Sequence, residues 1–317
     1  MRVTMNFGSF RSARSVVGGT IHELGQKYDN VWGLAADTGG SLSAFKQDFP
    51  DRFIDVGVAE QNLAGIAAGL ALEGNIPFIT GMIPFMTMRA CEQNRTDIAY
   101  QDLPVRFIGT GGGLTSGGGS THNAMEDIAI MKSMVNMTVL SIGDPNMIRD
   151  ILILSMDYPH PLYVRLAQGK QDRVLYEPGE FEYQIGKGLT PREGKDATII
   201  SHGEMVFESL EVAKTLEEEG IDVRVIDMYS IKPLDKDLVL QAVKETGNIL
   251  VLEDHLMEGG LASTIADLFV DEGVYPKKFK RLGIPQIYAG FGSGPDQRKK
   301  YGYDQDATIA AIKEMVK

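Results

Sequence analysis

Short apolar runs alternate with amphipathic stretches along almost the whole chain, and this alternation leaves few folds open to it. A strand buried on both faces reads as a brief continuous apolar run. The helix returning to the next parallel strand reads as a 3.6-residue periodicity. In the first half the pattern predicts strands at Val31–Ala35, Phe53–Val56, Pro77–Thr80, Arg106–Gly109, Val139–Ser141 and Leu162–Arg165. Helices are predicted at Ser15–Gln26, Gln61–Glu73 and around Met86–Tyr100. A polar stretch with Pro and Gly then runs from Gln168 to Gly194, with Phe181–Tyr183 as one further strand. Beyond it the pattern restarts, with strands at Ala197–Ser201, Val223–Asp227 and Ile249–Glu253 and helices at Val206–Glu219, Asp237–Glu245 and Leu261–Leu268. The expected fold class is α/β, two doubly wound domains. They are expected over 1–176 and, after a linker over 177–190, over 191–317. At 317 residues, 43% of them hydrophobic, the chain can build two cores of ordinary size.

Charge and cysteine usage exclude several function classes. The net charge is −12 and no basic run exists, so nothing in the sequence is suited to neutralising nucleic-acid phosphates. An anionic small molecule would have to be met by individual Arg side chains or backbone amides. Cys91 is the only cysteine, which rules out an intrachain disulfide and a cysteine zinc site. The five His residues are scattered, with no HExxH spacing, and no metal ligands are assigned to this chain. No apolar run reaches membrane-spanning length and no basic-then-apolar leader opens the chain, so the expected setting is cytoplasmic, without membrane contact.

The run Asp55-Val56-Gly57-Val58-Ala59-Glu60-Gln61-Asn62 carries the chemistry. An extended segment ends there and a helix of small residues, Leu63 to Ala71, begins at once. Glu60 then falls in the first helical turn, and Ala64, Gly65, Ala68 and Gly69 let another backbone approach closely. A carboxyl in such a place either ionises against a partner or holds a proton that it can donate. The plainer alternative is that Glu60 only complements the helix macrodipole.

Asp55 to Gly74 resembles the stretch of transketolases that carries the glutamate for thiamine diphosphate. Further matches follow in the family's order: Gln93, Tyr100–Val105, Ser120-Thr121-His122 with Glu126-Asp127, Pro161–Arg165, Ile231–Asp235, and Glu253-Asp254-His255 ahead of Gly259-Gly260-Leu261. The resemblance covers about Arg14 to the C-terminus, and it is to the C-terminal half of a transketolase. It implies a pyrimidine-binding thiamine-diphosphate fold followed by a smaller transketolase C-terminal domain. It also implies ketol transfer between sugar phosphates, with Glu60 facing the cofactor's pyrimidine. Phe85 matches the aromatic that packs on that ring. Met82 and Met88 stand nearby where many relatives have other side chains, and a polarizable thioether can still pack on an aromatic face. His122 matches the histidine aimed at substrate oxygens, while Thr121 or Asn123 is read as a cap for the following helix. Arg14, Ser41 and Arg165 match the family's phosphate contacts.

Two departures matter. In the loop Gly111–Gly119, Gly111 and Gly118 stand where many transketolases have a His and an Asp, and the loop is one residue shorter. Glycine there reads as a lid or as backbone close to a bulky substrate, which points to an unusual acceptor such as a ketone or a branched, apulose-type sugar phosphate. The other departure is a missing motif. The Gly-Asp-Gly…Asn pattern that grips Mg²⁺ and diphosphate does not occur, and Gly143-Asp144-Pro145-Asn146 is read as a turn. The resemblance therefore implies a separate N-terminal subunit supplying the Mg²⁺ and diphosphate ligands, self-association into a two-plus-two heterotetramer, and the small-residue helix as an interface. The alternatives are the β subunit of a 2-oxo-acid dehydrogenase and a non-catalytic regulatory partner.

Overall fold

The structure, a computed structural model, describes residues 10–114, 119–167 and 172–317. Its larger sheet has seven strands in the order Ser230–Lys232, Thr138–Ile142, Leu162–Leu166, Arg106–Thr110, Ile76–Met82, Val31–Ala35 and Phe53–Asp55. All but the first run parallel. The smaller sheet runs Lys278–Ile284, Asn248–Leu256, Ala197–Ser201, Val223–Asp227 and Leu189–Arg192, with only the last strand antiparallel. Helices cover both faces of each sheet, so the strands are apolar on both sides. The strand order reverses at Val31–Ala35 in the larger sheet, between Phe53–Asp55 and Ile76–Met82, and at Ala197–Ser201 in the smaller, between Val223–Asp227 and Asn248–Leu256. The crevice at that reversal, by the carboxyl ends of the strands, is where such sheets bind ligands.

Two cores form, but each spans both halves of the chain. Helices Ala13–Lys27 and Pro145–Leu154 share one core with Met205–Glu218 and Gln305–Met315. Helices Glu60–Leu72 and Asp127–Lys132 share the other with Lys236–Glu245 and Leu261–Glu272. The boundary follows the faces of the sheets because the sheets are joined: Ser230–Lys232, from the second half, is an edge strand of the first half's sheet.

Several elements differ from expectation. Phe181–Tyr183 is not a strand, and the strand entering the second sheet is Leu189–Arg192. Lys278–Ile284 escapes the pattern because it is an edge strand whose Lys278, Lys280 and Arg281 face water, as edges that avoid aggregation do. Residues 85–99 wind as two π-helical segments, Phe85–Arg89 and Asn94–Ala99, about a short α-turn at Cys91–Gln93. Such wide turns frequently mark functional sites. Gly143–Asn146 is not an isolated turn: Asp144 is the N-cap of Pro145–Leu154 and Pro145 its first residue.

Asp144 does more than cap. Its buried carboxylate accepts from Met147 N at 2.8 Å, Leu175 N at 2.6 Å and Tyr176 N at 3.2 Å, tying the inter-sheet connection to the first sheet. Asp144→Ala removes the cap and strands two further buried N–H groups. It should lower unfolding free energy by about 2–4 kcal/mol, read by chemical denaturation.

Candidate active site

Three connections at the carboxyl edge of the larger sheet bring one group of side chains together. After Phe53–Asp55 the chain turns at Gly57, whose φ of +68° suits glycine, and its N–H donates to Asp55 Oδ1 at 3.0 Å. The same carboxylate oxygen accepts from Asp37 N at 3.1 Å, joining this turn to the one after Val31–Ala35. Glu60 then opens helix Glu60–Leu72 with only 4% of its surface exposed. Its Oε2 accepts from Arg89 Nη1 at 2.6 Å. The Arg89 guanidinium also lies 4.7 Å from the centre of the Phe85 ring, a cation–π contact within one π-helical turn. On another side of that ring stands His122, edge-on at 5.1 Å and 84°.

Glu60, Arg89, Phe85 and His122 are thus in continuous contact, although 62 residues separate the first from the last. Sequence reasoning misses Arg89 as a site residue. The available signal is its four-residue spacing from Phe85, which puts the two side chains on one face of a helical turn. Met82 ends the strand Ile76–Met82 half-buried, and Met88 is exposed on the turn between Phe85 and Arg89. Thr121 does not cap the following helix; its hydroxyl lies 3.0 Å from His122 Nδ1. Asn123 does not cap it either, and its amide is buried without a hydrogen-bond partner.

Arg14 and Ser41 lie together, and Arg165 lies apart from them. Ser41 belongs to the 3₁₀ turn Gly39–Leu42, which presses so closely on helix Ala13–Lys27 that a Cβ at Gly18 would strike the Ser41 carbonyl. Arg14 sits one turn before Gly18, and its Nη2 donates to Thr110 Oγ1 at 3.2 Å while its Nε is buried without a partner. Arg165 points to the opposite face of the sheet, the face it shares by strand alternation with Tyr163 two residues earlier. There Tyr163 Oη and Arg165 Nε both donate to Asp127 Oδ2, at 2.7 and 2.8 Å. Arg165 Nη2 donates to the carbonyls of Ala124 and Asp254, at 3.3 and 2.9 Å. Burial alone would lower its pKa, but Asp127, Tyr163 and Asp254 outweigh that and raise it. Arg165 thus stands on the other face of the sheet from Arg14 and Ser41, with its Nε and Nη2 engaged by groups of the protein.

The described start of the glycine loop is not a free lid. Gly111 N donates to Ala167 O at 2.7 Å, Gly112 N to Leu166 O at 3.0 Å and Gly113 N to Ala124 O at 2.8 Å. Leu114 is fully buried, with its N–H 3.2 Å from each oxygen of Asp254. Glycine is needed for this approach: a Cβ at Gly112 would crowd the Arg165 guanidinium, and one at Gly113 would collide with Asp254. Asp254 is steadied by Tyr303 Oη at 2.9 Å and by Arg298 at 3.8 Å. Gly118 lies outside the described residues.

The neighbouring groups are buried and structural in their contacts. Glu253 accepts from Leu261 N and Ala262 N, at 2.8 and 3.0 Å, at the start of helix Leu261–Glu272. His202 Nδ1 lies 2.8 Å from Ser141 Oγ. Among the described residues no group of three or more His, Cys, Asp or Glu is placed to hold a metal ion. No helix there is long and apolar enough to cross a membrane.

The two joined, largely parallel sheets agree with what comparison with known proteins finds for the family and the fold. The family model for the transketolase pyrimidine binding domain matches residues 11–171, and that for the transketolase C-terminal domain matches 186–307. The chain belongs to the transketolase family, which implies dependence on thiamine diphosphate. It is 36% identical to a putative transketolase C-terminal section of Methanocaldococcus jannaschii, over 98% of both chains. It is 34% identical to one of the subunits of an apulose-4-phosphate transketolase of Phocaeicola vulgatus, over 94% of this chain and 95% of that one. Its fold matches a solved split-gene transketolase, described as an inactive β4 tetramer, with a TM-score of 0.87 and 34% identity over 98% and 99% of the two chains. Relatives also include a 1-deoxy-D-xylulose-5-phosphate synthase of Geobacter sulfurreducens, of whose length this chain spans 48%.

Burial makes acid stability depend on His202. Desolvation first, and the Arg165 charge second, push its pKa from 6.5 down to about 3, so the folded protein keeps it neutral. As pH falls through 6.5 the unfolded chain takes up the proton first. The stabilisation is full above 6.5 and is lost progressively toward 3. Each pH unit inside that window costs about 1.4 kcal/mol. Burial shifts His255 the same way and steepens the slope. His202→Gln, which keeps a polar amide toward Ser141, should show a smaller fall in thermal midpoint between pH 7 and pH 5 than the wild type.

Proposed function

We propose that this chain is the C-terminal subunit of a split transketolase, moving a two-carbon ketol unit between sugar phosphates. The observation that carries this reading is the gathering of Glu60, Phe85 and His122 at one edge of the sheet, from three separate connections. The residues fit the pyrimidine end of thiamine diphosphate, with a buried carboxyl and an aromatic face side by side. When bound, that cofactor supplies a carbanion able to accept and release the two-carbon unit.

In this reading Glu60 holds a proton at the pyrimidine's 1′ nitrogen, Phe85 packs on the ring, and Met82 and Met88 add polarizable surface beside it. Arg89 engages both Glu60 and Phe85, and with 43% of its side chain exposed it is free to swing toward solvent as the ring arrives. His122 moves a proton at a substrate hydroxyl as the C–C bond breaks or forms. Arg14 and Ser41 receive the substrate phosphate at the end of helix Ala13–Lys27, while Arg165 holds the glycine loop that they face.

The diphosphate and Mg²⁺ ligands come from a separate N-terminal subunit. The missing Gly-Asp-Gly motif supports this, as does similarity to proteins described as split transketolases. A two-plus-two assembly is supported by helix Glu60–Leu72, where a Cβ added at Gly65 or Gly69 would meet nothing within 4 Å among the described residues. Its exposed small face leaves room for another backbone. The acceptor is a ketone or branched sugar phosphate of the apulose type, on the strength of glycine at positions 111 and 118 of the sequence and of the Phocaeicola relative.

Ketol transfer should appear only when this chain is mixed with an N-terminal subunit, thiamine diphosphate and Mg²⁺. In the mixture Glu60→Gln should lose about 10²-fold or more in turnover with assembly intact. Near-normal turnover in that variant would contradict the role of Glu60. Equal rates on ordinary pentose phosphates, with none favoured on branched ones, would contradict the acceptor. Pyruvate decarboxylation replacing ketol transfer would move the chain to the synthase-like branch.

A further inference from the structure

Both described flanks of residues 115–118 rest on the second half of the chain. On one flank Asp254 holds Leu114 N. On the other, Gly119 has a φ of +82°, and a Cβ there would run into the ring of Phe291. Gly119 leads directly into Ser120–His122, and its carbonyl accepts from His122 N at 2.9 Å. The Phe291 ring therefore lies against the segment that sets His122 in place.

Phe291 does not belong to either core. Its surface is 86% exposed, although one edge of the ring covers Gly119. Its loop connects Lys278–Ile284 to helix Gly294–Tyr301, and that helix is locked by Arg298 to Glu204 at 3.4 Å and to Asp254 at 3.8 Å. The loop thus presents a largely exposed aromatic ring at Gly119, directly before the turn that carries the candidate histidine. An aromatic ring offers a large apolar area for burial, and the fold leaves most of this one in water. Binding sites are lined by such apolar and aromatic side chains with a few polar groups among them.

We propose that Phe291 is a specificity residue for the acceptor: its exposed face forms one wall of the acceptor site beside His122 and packs on carbon-bound substituents next to the reacting carbonyl. This inference rests on the transketolase reading. The ring supplies an apolar surface at Gly119, the last residue of the glycine-rich sequence that begins at Gly111. An apolar wall discriminates acceptors by the shape of a carbon substituent and makes little distinction between hydroxyl patterns.

The test uses the assembled two-subunit enzyme and compares kcat/KM for dihydroxyacetone phosphate, a ketone, with that for its aldehyde isomer glyceraldehyde 3-phosphate. Phe291→Ala, and Phe291→Leu to keep apolar volume without the ring, should each change the ratio of the two by about tenfold or more. A ratio, unlike a rate, is insensitive to the fraction of enzyme that folds or assembles. An unchanged ratio in both variants would overturn the proposal, as would loss of assembly by sedimentation, which would make Phe291 an interface residue. A wild type that assembles but shows no ketol transfer would overturn the functional reading and this inference with it.

Discussion

Arg165 is a guanidinium with almost no water around it, and the two halves of the chain close upon it. Asp127 and Ala124 satisfy it from the first half and the Asp254 carbonyl from the second. A buried ion pair of this kind often contributes little net stability, since desolvation opposes the attraction. Losing one partner is another matter: an unpaired charge left inside costs about 3–5 kcal/mol. The pair therefore acts chiefly as a constraint on register. Asp127, Arg165 and Asp254 link the second half to the first, and Asp254 also meets Leu114.

The candidate site inherits its geometry from that closure. Glu60 and Phe85 come from turns directly attached to parallel strands, so the sheet alone places them. His122 lies at the far end of a loop, and its position depends on what the second half supplies, Asp254 at Leu114 and Phe291 at Gly119. The second half of the chain in this way contributes to the architecture of the candidate site, and the apolar cores run through both halves.

Much of the architecture is legible in the sequence. Most strands of both sheets appear as short apolar runs, because a strand buried on both faces tolerates little else. Where burial is one-sided the signal fades. Lys278–Ile284 hides behind its exposed basic residues, and Leu189–Arg192 lies in a polar stretch that carries no period. The local chemistry of Asp144 is only half legible: Asp-Pro ahead of an apolar period suits a helix start, but the same dipeptide after glycine reads equally as a turn.

The sequence by itself determined the fold class, the position of Glu60 at a helix start and the grouping of motifs typical of a transketolase, because each depends on residues close together along the chain. Only the tertiary structure decided which of these residues meet. It paired Arg89 with Glu60 across 29 positions, separated Arg165 from Arg14 by the two faces of one sheet, and set Phe291 on Gly119 from the other half of the protein. Spacing along a chain fixes which face a residue occupies within its own element. Which faces come into contact depends on how the sheets pack, and that is settled by burial and by satisfaction of polar groups over the whole molecule.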